Sequence, residues 1–201
     1  LLRNMATYVS LIGALAAIVI GHQLMAAERK AGTMPLLGSR PMRPADLGIA
    51  KSLALIVAIA ALVIFAALIN TATFLALPEF RLDAIGWLKL AAFYGASGLY
   101  LLVFGFLGLW FGASAKSETV GLLIPVTIWL TLTFVLPQIT SNINPVAALN
   151  PVSALAEPPA SAFFQITGWA LGSLSLAEAY RIISAQLLDF LPANYIDRAA
   201  I

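Results

Sequence analysis

The stretch Glu28-Arg29-Lys30-Ala31-Gly32-Thr33-Met34-Pro35-Leu36-Leu37, continuing through Arg40-Pro41-Met42-Arg43-Pro44-Ala45-Asp46 to Lys51, is a basic island between two long apolar runs. Five of the eleven Lys and Arg residues fall in it, against two carboxylates, Glu28 and Asp46. Its apolar neighbours on either side are each long enough to cross a bilayer, so the island reads as a polar elbow between two membrane spans. Lys and Arg concentrate in short cytoplasmic loops, which puts the elbow inside the cell and fixes the sidedness of everything that follows by alternation.

Composition agrees. A chain of 201 residues that is 61% hydrophobic and 10% charged, with a mean hydropathy of +0.96, has too little polar surface for a soluble domain of that size. A hydrocarbon core about 30 Å thick needs roughly 20 mainly apolar residues per helix. Four stretches qualify, at about 5 to 26, 48 to 77, 87 to 112 and 119 to 137. The expectation is an all-α, polytopic helical bundle, its second span long enough to tilt or to project beyond the hydrocarbon.

On this topology the loop around Pro78 to Asp83 is external, Ala113 to Glu118 is a short inner loop, and the fourth span ends outside near Pro137. The chain opens with Leu1-Leu2-Arg3, outside the membrane and without an initiator Met, so a preceding span is expected, and a following one is open. Residues 1–201 therefore read as a single, incomplete transmembrane domain, with an elbow segment at 28–46 and an outer region at 138–201.

Local chemistry breaks the elbow into pieces. Gly32 suits a left-handed cap that ends the first helix, and Thr33 suits the N-cap of a short helix that begins at Met34-Pro35. Pro41 interrupts that helix, and Pro44 with Asp46 suits the first turn of the next span, where a carboxylate favours the helix dipole. The order is span, short transverse helix, span. Leu36 and Leu37 stand between charged flanks as an apolar knob for a groove on another protein. Read as charge alone, the same segment is accounted for by lipid headgroups around Arg29, Lys30, Arg40 and Arg43.

The run Glu28-Arg29, Gly32-Thr33, Leu36-Leu37, Pro41, Arg43 and Lys51, placed between two spans, resembles the signature of type-2 ABC transporter permeases. The layout of the chain is similar to spans two to five of that family, including permeases of the copper-enzyme maturation type. The resemblance implies a permease subunit of an ATP-driven exporter in a bacterial cytoplasmic (inner) membrane. It implies a coupling helix in which Glu28, Arg29, Gly32, Thr33, Leu36, Leu37, Pro41, Arg43 and Lys51 meet cytoplasmic ABC ATPase subunits. It also implies a second permease half, as a homo- or heterodimer, with lipid and no nucleic acid as the other contacts. ATP and magnesium would sit on the ATPase, since this chain has no glycine loop followed by Lys-Ser or Lys-Thr to cradle phosphates. The alternatives are a non-transporting scaffold that anchors an extracytoplasmic enzyme complex and a membrane subunit of an oxidoreductase.

Chemistry within the chain is disfavoured. There is no cysteine and one histidine, His22, whose place near the end of the first span suits a packed or interfacial residue better than a metal ligand. No catalytic residue, cofactor or metal is expected, and the spans hold almost no ionisable groups away from their ends. Glu28 reads either as part of the elbow's polar network or as a plain helix-end carboxylate. Tyr94, Ser97 and Tyr100, at helical spacing on the third span, read either as lining a substrate path or as buried hydrogen-bonding residues. Small residues four apart, Gly13, Ala17 and Gly21, then Gly108 and Gly112, admit close helix contact, either between permease halves or within one bundle.

Beyond Pro137 the Asn and Pro residues from Asn142 to Pro159 break any continuous span. Ala162 to Leu171 is too short to cross and suits a re-entrant or interfacial piece with Trp169 at headgroup depth. From Glu178 to Leu191 the pattern turns amphipathic, with Tyr180, Ile183, Leu187, Phe190 and Leu191 on one face and Glu178, Arg181, Gln186 and Asp189 on the other. Such a helix is expected to lie on the outer membrane surface or on an outer partner.

Overall fold

The computed structural model of the chain describes residues 2–30, 44–76, 83–136 and 176–188, and all of these but Asp83 and residues 115–117 are helical. We number five helices. In α1, Leu2–Tyr8 widens into a π-helical turn at Val9–Gly13 and continues as Ala14–Lys30. Helices α2 and α3 are Pro44–Ala76 and Ala84–Ser114. Helix α4 runs Glu118–Leu130 and ends in a second π-helical turn, Thr131–Val135, and α5 is Leu176–Leu188.

Four of these carry segments long and apolar enough to cross a membrane: Met5–Glu28, Asp46–Thr73, Ala84–Ser114 and Glu118–Val135. The chain is an all-α, integral membrane protein. Two of the spans start where a side-chain oxygen accepts from the helix end. Asp83 caps α3 by accepting from the Gly86 amide at 2.8 Å, and Ser117 caps α4 by accepting from the Val120 amide at 3.3 Å. Asp46 lies in the first turn of α2, where its charge favours the helix dipole. Within the spans, hydroxyls return to their own helix: Ser97 donates to the Phe93 carbonyl, Ser114 to Trp110 and Thr127 to Leu123, each four residues back.

Helices α1 and α3 form the centre of the bundle, and their contact is at backbone distance. A Cβ on Gly21 would stand 2.0 Å from the Gly105 carbonyl oxygen, and one on Gly108 would stand 2.2 Å from the Ile18 carbonyl oxygen. Gly112 faces the His22 backbone at 3.2 Å, and Ala17 is buried. Gly13 faces the Leu101 side chain. The small-residue series on the two spans therefore pack against each other within one bundle, filling the space that lipid-soluble helices must close by van der Waals contact. Ile18, Leu55, Ile59, Phe93, Leu101 and Phe104 complete the core around them.

Helix α2 is held less closely. Only 11% of its most apolar window is covered by the chain, against 44% for α1 and α3, although its mean hydropathy, 3.0, is the highest of the four. A hydrophobic helix so little covered presents most of its surface to lipid. Between α2 and α3 lies an apolar groove of about 510 Å³, bordered by Ile59, Val63, Trp87, Tyr94 and Gly95.

Helix α5 departs from the surface-lying arrangement expected from its pattern. Its buried face is Ala177, Tyr180 and Ser184, with Leu187 partly covered, and it packs on α1, α3 and the π-helical turn of α4. Ile183, assigned by periodicity to the covered face, is 47% exposed, as is Ile182 at 54%. The face toward the bundle thus carries Ala177, Tyr180 and Ser184, while the branched Ile182 and Ile183 face away from it, which an apolar surrounding permits. Residues 31–43, which contain the expected transverse helix, and residues 137–175, which contain the expected re-entrant piece, lie outside the described residues, as do Phe190 and Leu191.

Candidate functional site

Two places in the bundle gather polar groups, one at each end. The first is the elbow. Glu28 ends the apolar part of α1 and Lys51 stands two turns into α2, 23 residues apart in sequence; Lys51 Nζ donates to Glu28 Oε1 at 2.6 Å. Both side chains are mostly covered, 17% exposed for Lys51 and 27% for Glu28. A charge-assisted hydrogen bond this short is stronger than a surface ion pair between two freely moving side chains. It fastens the two helix ends from which the elbow springs. Of the other residues expected there, Arg29 lies in the last turn of α1, and Gly32, Thr33, Leu36, Leu37, Pro41 and Arg43 lie outside the described residues.

At the same end, His22 is 3% exposed, and its Nε2 donates to the Glu118 carbonyl at 3.1 Å. A carbonyl oxygen only accepts, so Nε2 carries the proton. The ring lies against Gly121, while the His22 backbone faces Gly112, and the ring ties the last third of α1 to the first turn of α4. His22 is thus a buried structural histidine, joined to the short turn between α3 and α4. The Glu28 end of the bundle is held by an ion pair on one side and this bond on the other.

The second place is a hydroxyl-rich seam at the opposite end, between α1, α3, α4 and α5. Ser97, already donating to the Phe93 carbonyl, lies 2.8 Å from the Tyr180 hydroxyl. Its one proton is in use, so Tyr180 donates and Ser97 Oγ accepts. Tyr180 also stacks on Tyr100, ring centroids 4.5 Å apart. Tyr100 donates in turn to the Ser10 carbonyl at 3.2 Å, and Trp129 Nε1 points at the same oxygen at 3.4 Å. Ser10 belongs to the π-helical turn of α1. A π-helical turn widens the backbone ladder, and the Ser10 carbonyl within it accepts from side chains of two other helices.

The three third-span residues singled out from the sequence divide between two environments. Each step of three residues drifts roughly 60° around a helix of 3.6 residues per turn, so Tyr94 and Tyr100 are roughly 120° apart. Ser97 and Tyr100 turn into the seam, 2% and 6% exposed. Tyr94 borders the α2–α3 groove, its hydroxyl buried. Ser10, Trp129 and Thr133 complete the seam and carried no signal of their own in the sequence, since Ser, Thr and aromatic residues are common in spans; Tyr180 carried only its place on the apolar face of the amphipathic run.

No curated protein and no solved structure matches the chain. The family model described as ABC-2 family transporter protein matches residues 2–190, which covers all four spans, the elbow between α1 and α2, and α5. With that match over nearly the whole sequence, and four helices long and apolar enough to cross a membrane, the chain belongs to the ABC-2 transporter family as a membrane permease component of an ABC transporter.

Proposed function

We propose that this permease is driven by a separate cytoplasmic ATPase that docks on the elbow, and that it moves cargo outward across a bacterial cytoplasmic membrane, paired with a second permease half. The observation that carries the reading is the Glu28–Lys51 ion pair, which closes the base of the elbow at 2.6 Å. A transverse segment hinged on two independently moving helix ends would lose most of an applied displacement to their relative motion. With the two ends fastened, a push on residues 31–43 moves α1 and α2 together at that end. Helix α1 is in backbone contact with α3 through Gly21 and Gly108, and it bonds α4 through His22, so the displacement reaches the centre of the bundle as a rigid-body shift. Glu28 and Lys51 act as positioning residues in this reading, while Leu36 and Leu37 supply the apolar knob and Arg29 and Arg43 the charged flanks.

The test is co-purification of the protein in detergent with its ATPase. The permease reading expects an ATPase subunit to accompany it, and Gly32→Pro with Leu36→Asp to abolish that association while the chain still elutes as a folded species. If no ATPase associates with the unaltered protein, the scaffold alternative replaces the permease.

A further inference from the structure

We propose that the α2–α3 groove is a binding site for one acyl chain of a glycerolipid from the leaflet remote from the elbow, with the ester region of that lipid held at the Thr71–Trp87 end. Only the membrane spans are needed for this; the ATPase and the cargo do not enter. The groove follows α2 from Ile56 to Thr71 and α3 from Trp87 to Leu102, the two helices running in opposite directions away from and back toward the elbow end. At 1.5 Å per residue it is about 22 Å long. That exceeds the depth of one leaflet of hydrocarbon, roughly 15 Å. A volume of about 510 Å³ spread over about 22 Å leaves a mean cross-section of about 23 Å². A helix with its side chains is about 10 Å across and needs roughly 80 Å². Neither a further span nor a helix of a second copy lies down in such a trench, whereas one extended hydrocarbon chain does.

Two glycines supply the room. Where α1 meets α3, glycines admit a neighbouring backbone. On the α2 side, a Cβ on Gly95 would meet nothing within 4 Å, and one on Gly98 only the Val63 side chain at 3.8 Å. Walls left without a neighbour forfeit their dispersion contacts, and in a bilayer the filler at hand is a lipid chain. Polarity along the groove is one-sided. Ile56, Ile59, Leu99 and Leu102 make the end nearer the elbow aliphatic, and Thr71 and Trp87 stand at the other end. Asn70 and Thr73, the polar neighbours of Thr71 on α2, donate back to the Ala66 and Ile69 carbonyls. Neither the Thr71 hydroxyl nor the Trp87 indole N–H makes a hydrogen bond among the described residues, and both residues are half-buried. Two unspent donors thus stand at one end of an aliphatic trench, near the span end, where Trp is favoured at the membrane interface. A glycerolipid ester offers a carbonyl acceptor joined directly to an acyl chain, which matches donors followed by aliphatic walls.

The full chain would be reconstituted in vesicles of phosphatidylethanolamine and phosphatidylglycerol, extracted in mild detergent and weighed by native mass spectrometry. One phospholipid retained per chain is expected. Gly95→Phe fills the trench and should lower the lipid-bound fraction about tenfold, whereas Ala61→Phe, which adds bulk at an exposed position of α2 outside the groove, should leave it unchanged. Trp87→Phe keeps an aromatic ring, removes one neutral donor, and should weaken retention about fivefold. The site is overturned if the unaltered chain retains no phospholipid, or if Gly95→Phe and Ala61→Phe retain it equally. Retention of free fatty acid alone overturns it too, as does a pair of chains that holds no lipid and separates in Gly95→Phe, which would give the groove to a second copy. Gly98→Leu serves the same comparison if Gly95→Phe does not fold. No nucleotide or ATPase enters the measurement, so its failure leaves the permease reading untouched.

Discussion

Replacing Gly108 by Ala is a sharp perturbation of this bundle, because it adds one carbon where α1 and α3 are in backbone contact. That Cβ would stand 2.2 Å from the Ile18 carbonyl oxygen and 2.9 Å from the carbonyl carbon and Cα, whereas ordinary contact begins at 3.4 Å. The helices must withdraw by about 1.2 Å, and the obstacle is backbone, which has no rotamer to escape into. Withdrawal also loosens the neighbouring contacts at Gly21, Gly105 and Gly112, each of which loses a large part of its dispersion energy over such a gap. Overpacking of this kind costs about 1–3 kcal/mol, and the upper end applies where nothing flexible can yield. At about 3 kcal/mol the ratio of folded to unfolded protein falls by roughly two orders of magnitude. Gly95, on the same helix, provides the control, since nothing lies within 4 Å of its would-be Cβ. Gly95→Ala should be neutral or gain up to about 1 kcal/mol from helix propensity. The assay is thermal unfolding in detergent followed by the intrinsic fluorescence of the four tryptophans. Gly108→Ala is expected to unfold several degrees below Gly95→Ala. If the two variants unfold together, the backbone-distance contact between α1 and α3 is not what holds the bundle.

Three further outcomes are expected. In a double-mutant cycle on Glu28→Gln and Lys51→Met, the ion pair should show a coupling energy of about 1 kcal/mol in thermal unfolding, reduced by solvent access to both groups; with the partner ATPase present, either single variant should retain ATP hydrolysis and lose transport. Exchanging the two residues, Glu28→Lys with Lys51→Glu, should restore part of both. His22→Leu removes the donor to the Glu118 carbonyl and should lower stability by about 1 kcal/mol, with His22→Gln intermediate because its amide can still donate, both read by the same fluorescence melt. Tyr100→Phe removes the shorter of the two side-chain donors to the Ser10 carbonyl and should cost about 1 kcal/mol, and combining it with Trp129→Phe should cost more than the sum of the two single changes, because the carbonyl then loses both side-chain donors.

The spans, their order and the polar elbow were legible in the sequence because each depends on local quantities. An apolar run of about 20 residues is excluded from water whatever it packs against, and Asp46 marks a helix start through its charge in the first turn. The Gly13, Ala17, Gly21 and Gly108, Gly112 series announced close packing for the same reason, since only small side chains admit a second backbone. What the sequence left open were the questions of partnership. Whether those glycines meet across subunits or within one bundle, which way Ser97 and Tyr100 turn, and whether Glu28 is paired all depend on residues far apart along the chain: Gly108 on Ile18, Ser97 on Tyr180, Glu28 on Lys51. Helix α5 shows the limit most clearly. Its hydrophobic periodicity pointed Ile183 inward, but the surroundings of a membrane bundle are themselves apolar, so periodicity alone does not say which face is buried. The tertiary structure decided that: Tyr180, bonded to Ser97 on another helix, lies inside with Ala177 and Ser184, and Ile183 lies outside.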